Sequence, residues 1–356
     1  MSSGKTTRIT TLVYNPYFAA LGGGEVYISL LALEVAIDGP VTLLAPVANP
    51  RITIFKRFGL DLTGLHWLSG NWATSSQKVS RLSRAYDRFI CLTLGNPPIN
   101  LSRHGILVIQ FPYGPRPSLR VLASYRHILC YSRYCQEWIR RRWGIDALVL
   151  NPAIPGDPPI PTTKENYIVS IGRFQRGLND KCFPDLIQSF LTLPRDKMGR
   201  WEYHIIGGTG QSPQDRLYLE KLQKKVTGTR VYLHPNLGRS QLLSLLSAAK
   251  LYWHAAGYGQ PHRPEAAEHF GISIVEALAA GAVPLVYKAG GPVEVVEDKI
   301  SGLHWQALAE LQAQTLLLAE NSAAWLRLAS YGPVVAQKYT ANQLRRGFRV
   351  LLRGES

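Results

Sequence analysis

The first 150 residues alternate short apolar runs with stretches in which apolar residues recur at helical spacing. Glycine, proline and asparagine bound the apolar runs, which predict buried strands at residues 8–14, 41–45, 89–92, 106–111 and 127–131. Residues 25–37 and 133–143 have the spacing of helices. Strands that alternate with helices in this way predict a parallel sheet with helices on both faces.

A proline-rich break interrupts this rhythm. Residues 151–161 contain five prolines, which exclude a helix or an inner strand. The βα rhythm then resumes, with predicted strands at residues 167–172, 203–207, 230–233, 251–253 and 282–286. We therefore expect a first domain over residues 1–155, a linker, a second domain over 162–338 and a helical tail over 339–356.

Length and composition agree with two globular domains. The chain has 356 residues, 46% of them hydrophobic, against a prior of roughly 150 residues per domain. No apolar run approaches the roughly 20 residues that cross a bilayer, and the N-terminus lacks an apolar signal core. The four cysteines form no Cys-x-x-Cys pair, which argues against a disulfide framework and a zinc site. We expect a cytoplasmic protein.

The net charge of +16 is concentrated in the first half of the chain. Residues 1–150 carry a net charge of +10 and the remainder +6, and the first half includes Arg81, Arg84 and Arg88 at helical spacing and a basic block at 140–142. Such a face can attract an anionic membrane surface or nucleic acid, or it can simply be solvated. No nucleic-acid-binding motif accompanies it, so we do not expect nucleic acid as a partner. Peripheral docking of the basic first domain at the inner face of an anionic membrane is the alternative that remains.

The strongest chemical signal is a pair of glutamates, Glu268 and Glu276, that bracket the start of a predicted helix. Phe270 and Gly271 precede an apolar helical run that begins at Ile272. A carboxylate can accept two hydrogen bonds from vicinal hydroxyls, and a helix start offers free N–H groups and a positive dipole end to an anion. Sugar hydroxyls beside a phosphate are what a nucleotide-sugar presents.

This segment, with the residues that precede it from Tyr252 to Gly259 and those that follow from Gly290 to Val296, resembles the donor-binding signature of the retaining family-4 glycosyltransferases. The resemblance implies the α/β GT-B fold, in which two doubly wound Rossmann-like domains face a central cleft. It implies a nucleotide-diphosphate sugar as co-substrate and transfer by a front-face mechanism without a metal or other cofactor. The last helix of such enzymes crosses back to the first domain.

The resemblance also assigns roles to residues of the second domain. Arg173 and Lys181 would face the diphosphate, with Arg176 a competitor for one of these roles, and Glu268 would accept hydrogen bonds from the sugar. The ribose hydroxyls would bind Glu276. The other predicted donor-binding residues are glycine-turn, main-chain and helix-start positions: Gly207, Leu237, Phe270, Gly271 and Ile272. Gly207 could equally belong to a plain βα turn.

In the first domain, Gly23 and Gly24 match the glycine-rich loop that faces the donor phosphates. A tight βα turn also needs glycine, so their spacing alone leaves both interpretations open. Gln110 stands where many relatives carry a histidine beside the transferred sugar. Glutamine donates and accepts hydrogen bonds but does not titrate near neutral pH, which favours a role in positioning the acceptor or sugar.

The sequence leaves the donor base, the sugar and the acceptor open. A glycan or lipid-linked glycan of the cell envelope or an exopolysaccharide is the expected acceptor. The alternatives are a GT-B sugar-nucleotide epimerase, a phosphorylase, for which no pyridoxal lysine is evident, and a non-catalytic sugar-nucleotide-binding subunit. Three histidines lie near the donor motif, at His254, His262 and His269, but no helical His pair or carboxylate triad indicates a metal site.

Overall fold

The computed structural model describes residues 8–156, 159–177, 180–210 and 212–353. The predictions for the N-terminal residues 1–7, for 157–158 of the linker and for 354–356 of the tail lie outside the described residues. The chain forms two compact units, Met1–Gly156 with Ala341–Ser356, and Asp157–Thr340. We call them the first and the second unit.

Each unit is built on one parallel sheet. The strands of the first unit are β1 Thr11–Tyr14, β2 Val41–Ala45, β3 His66–Ser69, β4 Arg88–Thr93, β5 His104–Ile109, β6 His127–Cys130 and β7 Leu148–Val149. Those of the second unit are β8 Glu165–Ile171, β9 Glu202–Gly207, β10 Val231–Pro235, β11 Ala249–His254, β12 Val283–Tyr287 and β13 Leu303–Trp305.

Helices connect the strands. They are α1 Gly23–Val35, α2 Arg51–Phe58, α3 Ser76–Ser83, α4 Leu119–Leu122, α5 Arg133–Trp143, α6 Phe183–Leu191, α7 Arg195–Met198, α8 Pro213–Val226, α9 Arg239–Ala248, α10 Ile272–Ala279, α11 Pro292–Val295, α12 Leu308–Glu320, α13 Ser322–Ala336 and α14 Ala341–Leu352. Short 3-10 turns occur at Phe18–Ala20, Asn71–Thr74, Pro264–Ala266 and Gln337–Tyr339.

The strand order reverses once in each sheet. The first sheet has the order β3-β2-β1-β4-β5-β6-β7, and the second has the order β10-β9-β8-β11-β12-β13. The chain therefore runs outward from β1 in one direction and from β4 in the other, and the same holds for β8 and β11. In open α/β sheets, ligands bind beyond the carboxyl ends of the strands at such a reversal.

The inner strands are apolar because both of their faces are covered. Every residue of β1, β4 and β5 is buried, as expected for strands with helices on both sides. The predicted doubly wound sheets are confirmed, and most predicted strands coincide with observed ones to within a few residues. The short edge strands β3, β7 and β13, whose residues are partly exposed, were absent from the predicted set because a half-covered edge strand lacks a continuous apolar run.

The last helix, α14, belongs to the first unit although the preceding residues belong to the second. Its apolar side is buried at Leu344 and Phe348. Its polar side reaches the end of α1 and the turn after it: Arg349 Nε lies 2.6 Å from Glu34 Oε1, and Arg349 Nη1 lies 2.5 Å from Asp38 Oδ1.

Within the described part of the chain, no helix combines the length and apolar character needed to cross a membrane.

Candidate functional site

In the first unit, the glycine turn between β1 and α1 is held by a buried carboxylate. Glu25 Oε2 accepts a hydrogen bond from the Gly22 N–H at 2.7 Å, and Glu25 Oε1 accepts one from Asn15 Nδ2 at 3.1 Å. The predicted residues Gly23 and Gly24 are the first two of α1. N–H groups in the first turn of a helix have no acceptor within the helix, so this turn can present donors to an anion.

Gln110 packs directly against Gly24. It follows β5, and a Cβ atom added to Gly24 would overlap the Gln110 amide nitrogen. A larger residue at position 24 would therefore force the end of the Gln110 side chain to move. The structure brings these two predicted residues together beyond the carboxyl ends of β1 and β5.

In the second unit, two glycines let the loops after β8 and β9 pack closely. A Cβ atom on Gly207 would overlap the Gly172 carbonyl oxygen, and one on Gly172 would overlap the Lys181 side chain. Gly207 also accepts a hydrogen bond at its carbonyl from the Asn236 N–H at 2.7 Å. The predicted residue Leu237 follows Asn236 and is half-buried between β10 and α9. Gly207, the last residue of β9, thus lies beside the loop that contains Leu237.

The Glu268 carboxylate lies between a lysine and a histidine. Lys181 Nζ forms an ion pair with Glu268 Oε2, and His254 Nε2 lies 3.5 Å from the same oxygen. Burial alone would raise the pKa of the Glu268 carboxyl, but the Lys181 ammonium and the His254 ring hold it well below its ordinary value. Glu268 is therefore an anion that can only accept hydrogen bonds.

The backbone around Glu268 positions the start of α10. Gly271, with φ of +97°, is the N-cap of α10, and this left-handed conformation is one that glycine adopts without strain. The Gly291 N–H donates to the Glu268 carbonyl at 2.8 Å, which ties the loop to the glycine turn after β12. Phe270 is buried and packs edge-on against Tyr339, with ring centroids 5.3 Å apart. Ile272 is consequently fixed as the first residue of the helix.

Glu276 is buried and paired with an arginine. Arg239 Nη1 lies 2.6 Å from Glu276 Oε1, and the two side chains are only 14% and 6% exposed. Arg239 begins α9 and was absent from the predicted site. The only signal in the sequence was a basic residue directly after the predicted loop at Leu237, which is a weak one because most such residues face solvent.

The two candidate phosphate-binding arginines have different environments. Arg173 follows β8 and is half-buried, at the strand whose neighbour β11 ends in His254. Arg176 is exposed, and its guanidinium lies 5.6 Å from the centre of the Tyr218 ring, which is cation–π distance. The assignment of the phosphate contact to Arg173 rather than Arg176 stays a prediction.

The described residues contain no evident metal-binding cluster. Among residues 8–156, 159–177, 180–210 and 212–353, no group of three or more His, Cys, Asp or Glu side chains is arranged to hold a metal ion. His254 and His269 are buried, and burial lowers the pKa of both, that of His269 to about 4. Both rings are neutral at physiological pH.

Part of the chain is similar in sequence to known glycosyltransferases. Residues 157–325 match the family model of the glycosyl transferases group 1. Over 107 residues, the chain is 35% identical to a sucrose synthase of Acidithiobacillus caldus, covering 28% of this chain and 14% of that protein. Over 135 residues, it is 31% identical to a GDP-Man:Man(3)GlcNAc(2)-PP-Dol alpha-1,2-mannosyltransferase of Xenopus laevis, covering 36% of this chain and 25% of that protein. The chain thus matches a quarter or less of the length of these relatives.

Solved structures extend the comparison to the whole chain. The protein is similar to a crystal structure of Anabaena HepE in complex with UDP and glucose, with a TM-score of 0.74 and 16% identity, over 97% of this chain and 100% of that one. At 16% identity, this similarity is evidence for a shared fold alone. The expected GT-B fold with two Rossmann-like domains is confirmed, and its second unit is the part that matches the glycosyl transferases group 1.

Proposed function

We propose that the protein is a retaining glycosyltransferase of family 4 that moves a sugar from a nucleotide-diphosphate sugar to a hydroxyl of a glycan or lipid-linked glycan. One observation carries the proposal. Two largely buried carboxylates, Glu268 and Glu276, flank the N-terminal turn of α10, and each is paired with a cation. The carboxylates can accept hydrogen bonds from the hydroxyls of a sugar and of a ribose. The helix start between them can bind the phosphates that join the sugar to the nucleoside.

In this proposal each group has one task. Glu276, oriented by Arg239, accepts hydrogen bonds from the ribose hydroxyls, and Glu268 accepts them from the transferred sugar. Arg173, Lys181 and the N–H groups of α10 face the diphosphate, whose negative charge grows as it leaves. Fixed donors aimed at a developing charge lower the barrier because they need no reorganisation during the reaction.

The proposed step is a front-face substitution. The bond between the anomeric carbon and the phosphate oxygen breaks, and the acceptor oxygen bonds to the same carbon on the same face. The acceptor proton passes to the departing phosphate oxygen. Because cations of the protein and a helix dipole stabilise the leaving group, we propose that turnover needs no divalent metal.

Lys181 has to serve two anions in this scheme. Without a ligand its ammonium is paired with Glu268, and an ammonium has three donors in total. A bound diphosphate can take the remaining donors while Lys181 keeps Glu268. The same lysine then couples the leaving group to the carboxylate that holds the sugar.

We further propose that the first unit docks on an anionic membrane, where a lipid-linked acceptor would lie. Helix α2 exposes Ile52 by 73% and Phe55 by 57% while burying Ile54. Lys56 is also exposed, and residues three and four positions apart share one helix face. An exposed apolar face with adjoining positive charge suits the surface of an anionic bilayer.

An epimerase or a non-catalytic binding subunit would use the same donor-binding residues. Gln110 favours the non-catalytic subunit, because its amide cannot take up a proton at the position where the resemblance leads us to expect a histidine. In the proposed mechanism the leaving phosphate accepts the acceptor proton, so Gln110 has only to position a substrate.

The test begins with the purified full-length chain and its thermal stabilisation by UDP, GDP and ADP. Sugar nucleotides of the stabilising base are then assayed for transfer and for hydrolysis, with and without EDTA. We expect transfer in EDTA, with the product keeping the anomeric configuration of the donor. Conversion of the donor to its epimer, or stabilisation without turnover of any donor, would contradict the proposal. Loss of turnover in EDTA that Mg²⁺ or Mn²⁺ restores would contradict the metal-free mechanism.

Glu268→Ala and Glu276→Ala separate the two carboxylates. Glu276→Ala should weaken binding of the bare nucleoside diphosphate, because the ribose is present in it, by about 1.5–3 kcal/mol for a hydrogen bond to a charged group. Glu268→Ala should leave that affinity intact and impair turnover of the sugar donor. Equal losses of bare nucleotide affinity would show that the roles are wrongly divided.

A further inference from the structure

His254 is a buried imidazole at the carboxyl end of β11, beside Glu268. It is the last residue of that strand and only 3% exposed. Its Nε2 lies 3.5 Å from Glu268 Oε2. At this length the contact does not meet the geometry of a hydrogen bond, and within the described part of the chain neither ring nitrogen has a hydrogen-bond partner. A buried polar group without partners costs free energy, so this ring is unusual for a residue that only fills the core.

The surroundings determine which nitrogen carries the proton. A neutral imidazole has one donor and one acceptor nitrogen. A proton on Nε2 points a donor at the Glu268 carboxylate, whereas a proton on Nδ1 would set a lone pair against that negative charge. The Nε2–H tautomer is therefore favoured by electrostatics alone.

Lys181 holds the same oxygen of Glu268. If the proposed function is right, a bound diphosphate also attracts the Lys181 ammonium and weakens its hold on Glu268. His254 lies on a strand of the sheet, whereas Lys181 lies in the loop that precedes α6. A bound diphosphate therefore disturbs the contact of His254 with Glu268 less than the contact of Lys181 with Glu268.

We propose that His254 is a positioning residue, whose Nε2–H donates to Glu268 Oε2 and leaves Oε1 directed at the hydroxyls of the transferred sugar. This inference rests on the proposed function and adds the group that orients its sugar-binding carboxylate. His254 touches neither the donor nor the acceptor. Its effect passes through Glu268.

Two substitutions separate positioning from packing. His254→Gln keeps an N–H donor near the position of Nε2, and His254→Leu fills similar space without a donor. We expect His254→Leu to lower kcat for the sugar donor by roughly 10–100-fold, the range of one hydrogen bond to a charged group. His254→Gln should recover most of that loss. Thermal stabilisation by whichever of UDP, GDP and ADP binds the wild type should remain unchanged in both variants.

His204→Leu is the matched control. It removes another buried imidazole from the same unit, at a site where the ring contacts Glu202 and His234 instead of Glu268. It should leave kcat within a few-fold of wild type. Wild-type kcat in His254→Leu, or equal loss in His254→Gln and His254→Leu, would overturn the positioning role.

A second measurement does not depend on turnover. Long-range ¹H–¹⁵N spectra of the histidine-labelled full-length protein report the tautomer of each ring, and the His254→Gln spectrum identifies the His254 signals. We expect the neutral Nε2–H form at pH 7, and a changed Nε2 shift in Glu268→Gln. An Nδ1–H form would overturn the inference even in an active enzyme. A wild type that transfers no sugar but shows the Nε2–H form would instead contradict the proposed function.

Discussion

Arg239 Nη1 lies 2.6 Å from Glu276 Oε1, and this ion pair joins the first residue of α9 to the middle of α10. Both side chains are largely buried. A buried carboxylate needs such a partner because an unpaired buried charge is costly. The pair therefore holds Glu276 in one orientation before any ligand arrives.

The first prediction follows from this pair. Arg239→Met should weaken nucleoside diphosphate binding about as much as Glu276→Ala does, roughly tenfold or more, because the unpaired carboxylate loses its orientation. The double variant should be little worse than either single variant, since residues that act as one unit are not additive. Titration calorimetry with the nucleotide that binds the wild type measures all three. Additive losses would show that Arg239 acts independently of Glu276.

The second prediction concerns Arg173 and Arg176. Arg173→Ala should lower kcat by roughly 10²–10³-fold, the scale for one preorganised donor, and should affect KM less because the leaving charge grows toward the transition state. Arg173→Lys should recover part of the loss, since a point charge does not reproduce a planar fork. Arg176→Ala, which removes an exposed side chain stacked on Tyr218, should stay near wild type. The reverse ranking would move the phosphate contact to Arg176.

The third prediction concerns the close contact of Gly24 with Gln110. Gly24→Ala should destabilise the protein by about 1 kcal/mol, the low end of the range for overpacking, because the Gln110 amide must move away from the new methyl group. Gln110→Ala in the same chain should restore most of the lost stability by making room. Gly64→Ala is the control, since a Cβ there meets nothing within 4 Å. Urea unfolding of the four proteins tests this, and a double variant no more stable than Gly24→Ala would refute it.

The fourth prediction is acid sensitivity at His204. Burial, followed by the charge of His234, lowers the pKa of His204 to about 4 from an ordinary 6.5. As the pH falls below 6.5, the unfolded chain takes up the proton before the folded one, so stability is present above pH 6.5 and is lost as the pH falls toward 4. By pH 5 this linkage amounts to about 2 kcal/mol.

Urea unfolding at pH 7.5 and pH 5 measures that loss. His204→Leu should lose less stability between the two pH values than the wild type, because it has no proton to take up at this position. An equal loss in both proteins would assign the acid sensitivity to other groups.

The fifth prediction tests the proposed membrane-docking face. The double variant Ile52→Asp, Phe55→Asp should bind at least tenfold more weakly to vesicles of 70% phosphatidylcholine and 30% phosphatidylglycerol. It lacks the two apolar side chains that would insert into the bilayer. The control is Leu317→Asp with Leu326→Asp, at exposed positions of the second unit. Co-sedimentation measures binding. Equal binding by both variants, or no wild-type binding, would exclude α2 as the docking element.

The sequence by itself determined the two doubly wound sheets and the start of α10. Apolar runs that have both faces covered stand out without knowledge of their neighbours, and the structure contains them. Gly271 and Ile272 could likewise be placed at a helix start, because caps depend on local backbone conformation. Glu268 and Glu276 were found because they flank that start.

Only the tertiary structure decided which cation holds which carboxylate. Lys181 reaches Glu268 and Arg239 reaches Glu276 across dozens of residues of chain. Lys181 follows β8 and Glu268 follows β11, and their loops meet because these two strands are neighbours at the reversal of strand order. Periodicity predicts that a strand or helix exists, but the order of strands decides which loops meet at one edge of a sheet. Long charged side chains become specific partners only when that order brings them within hydrogen-bonding distance.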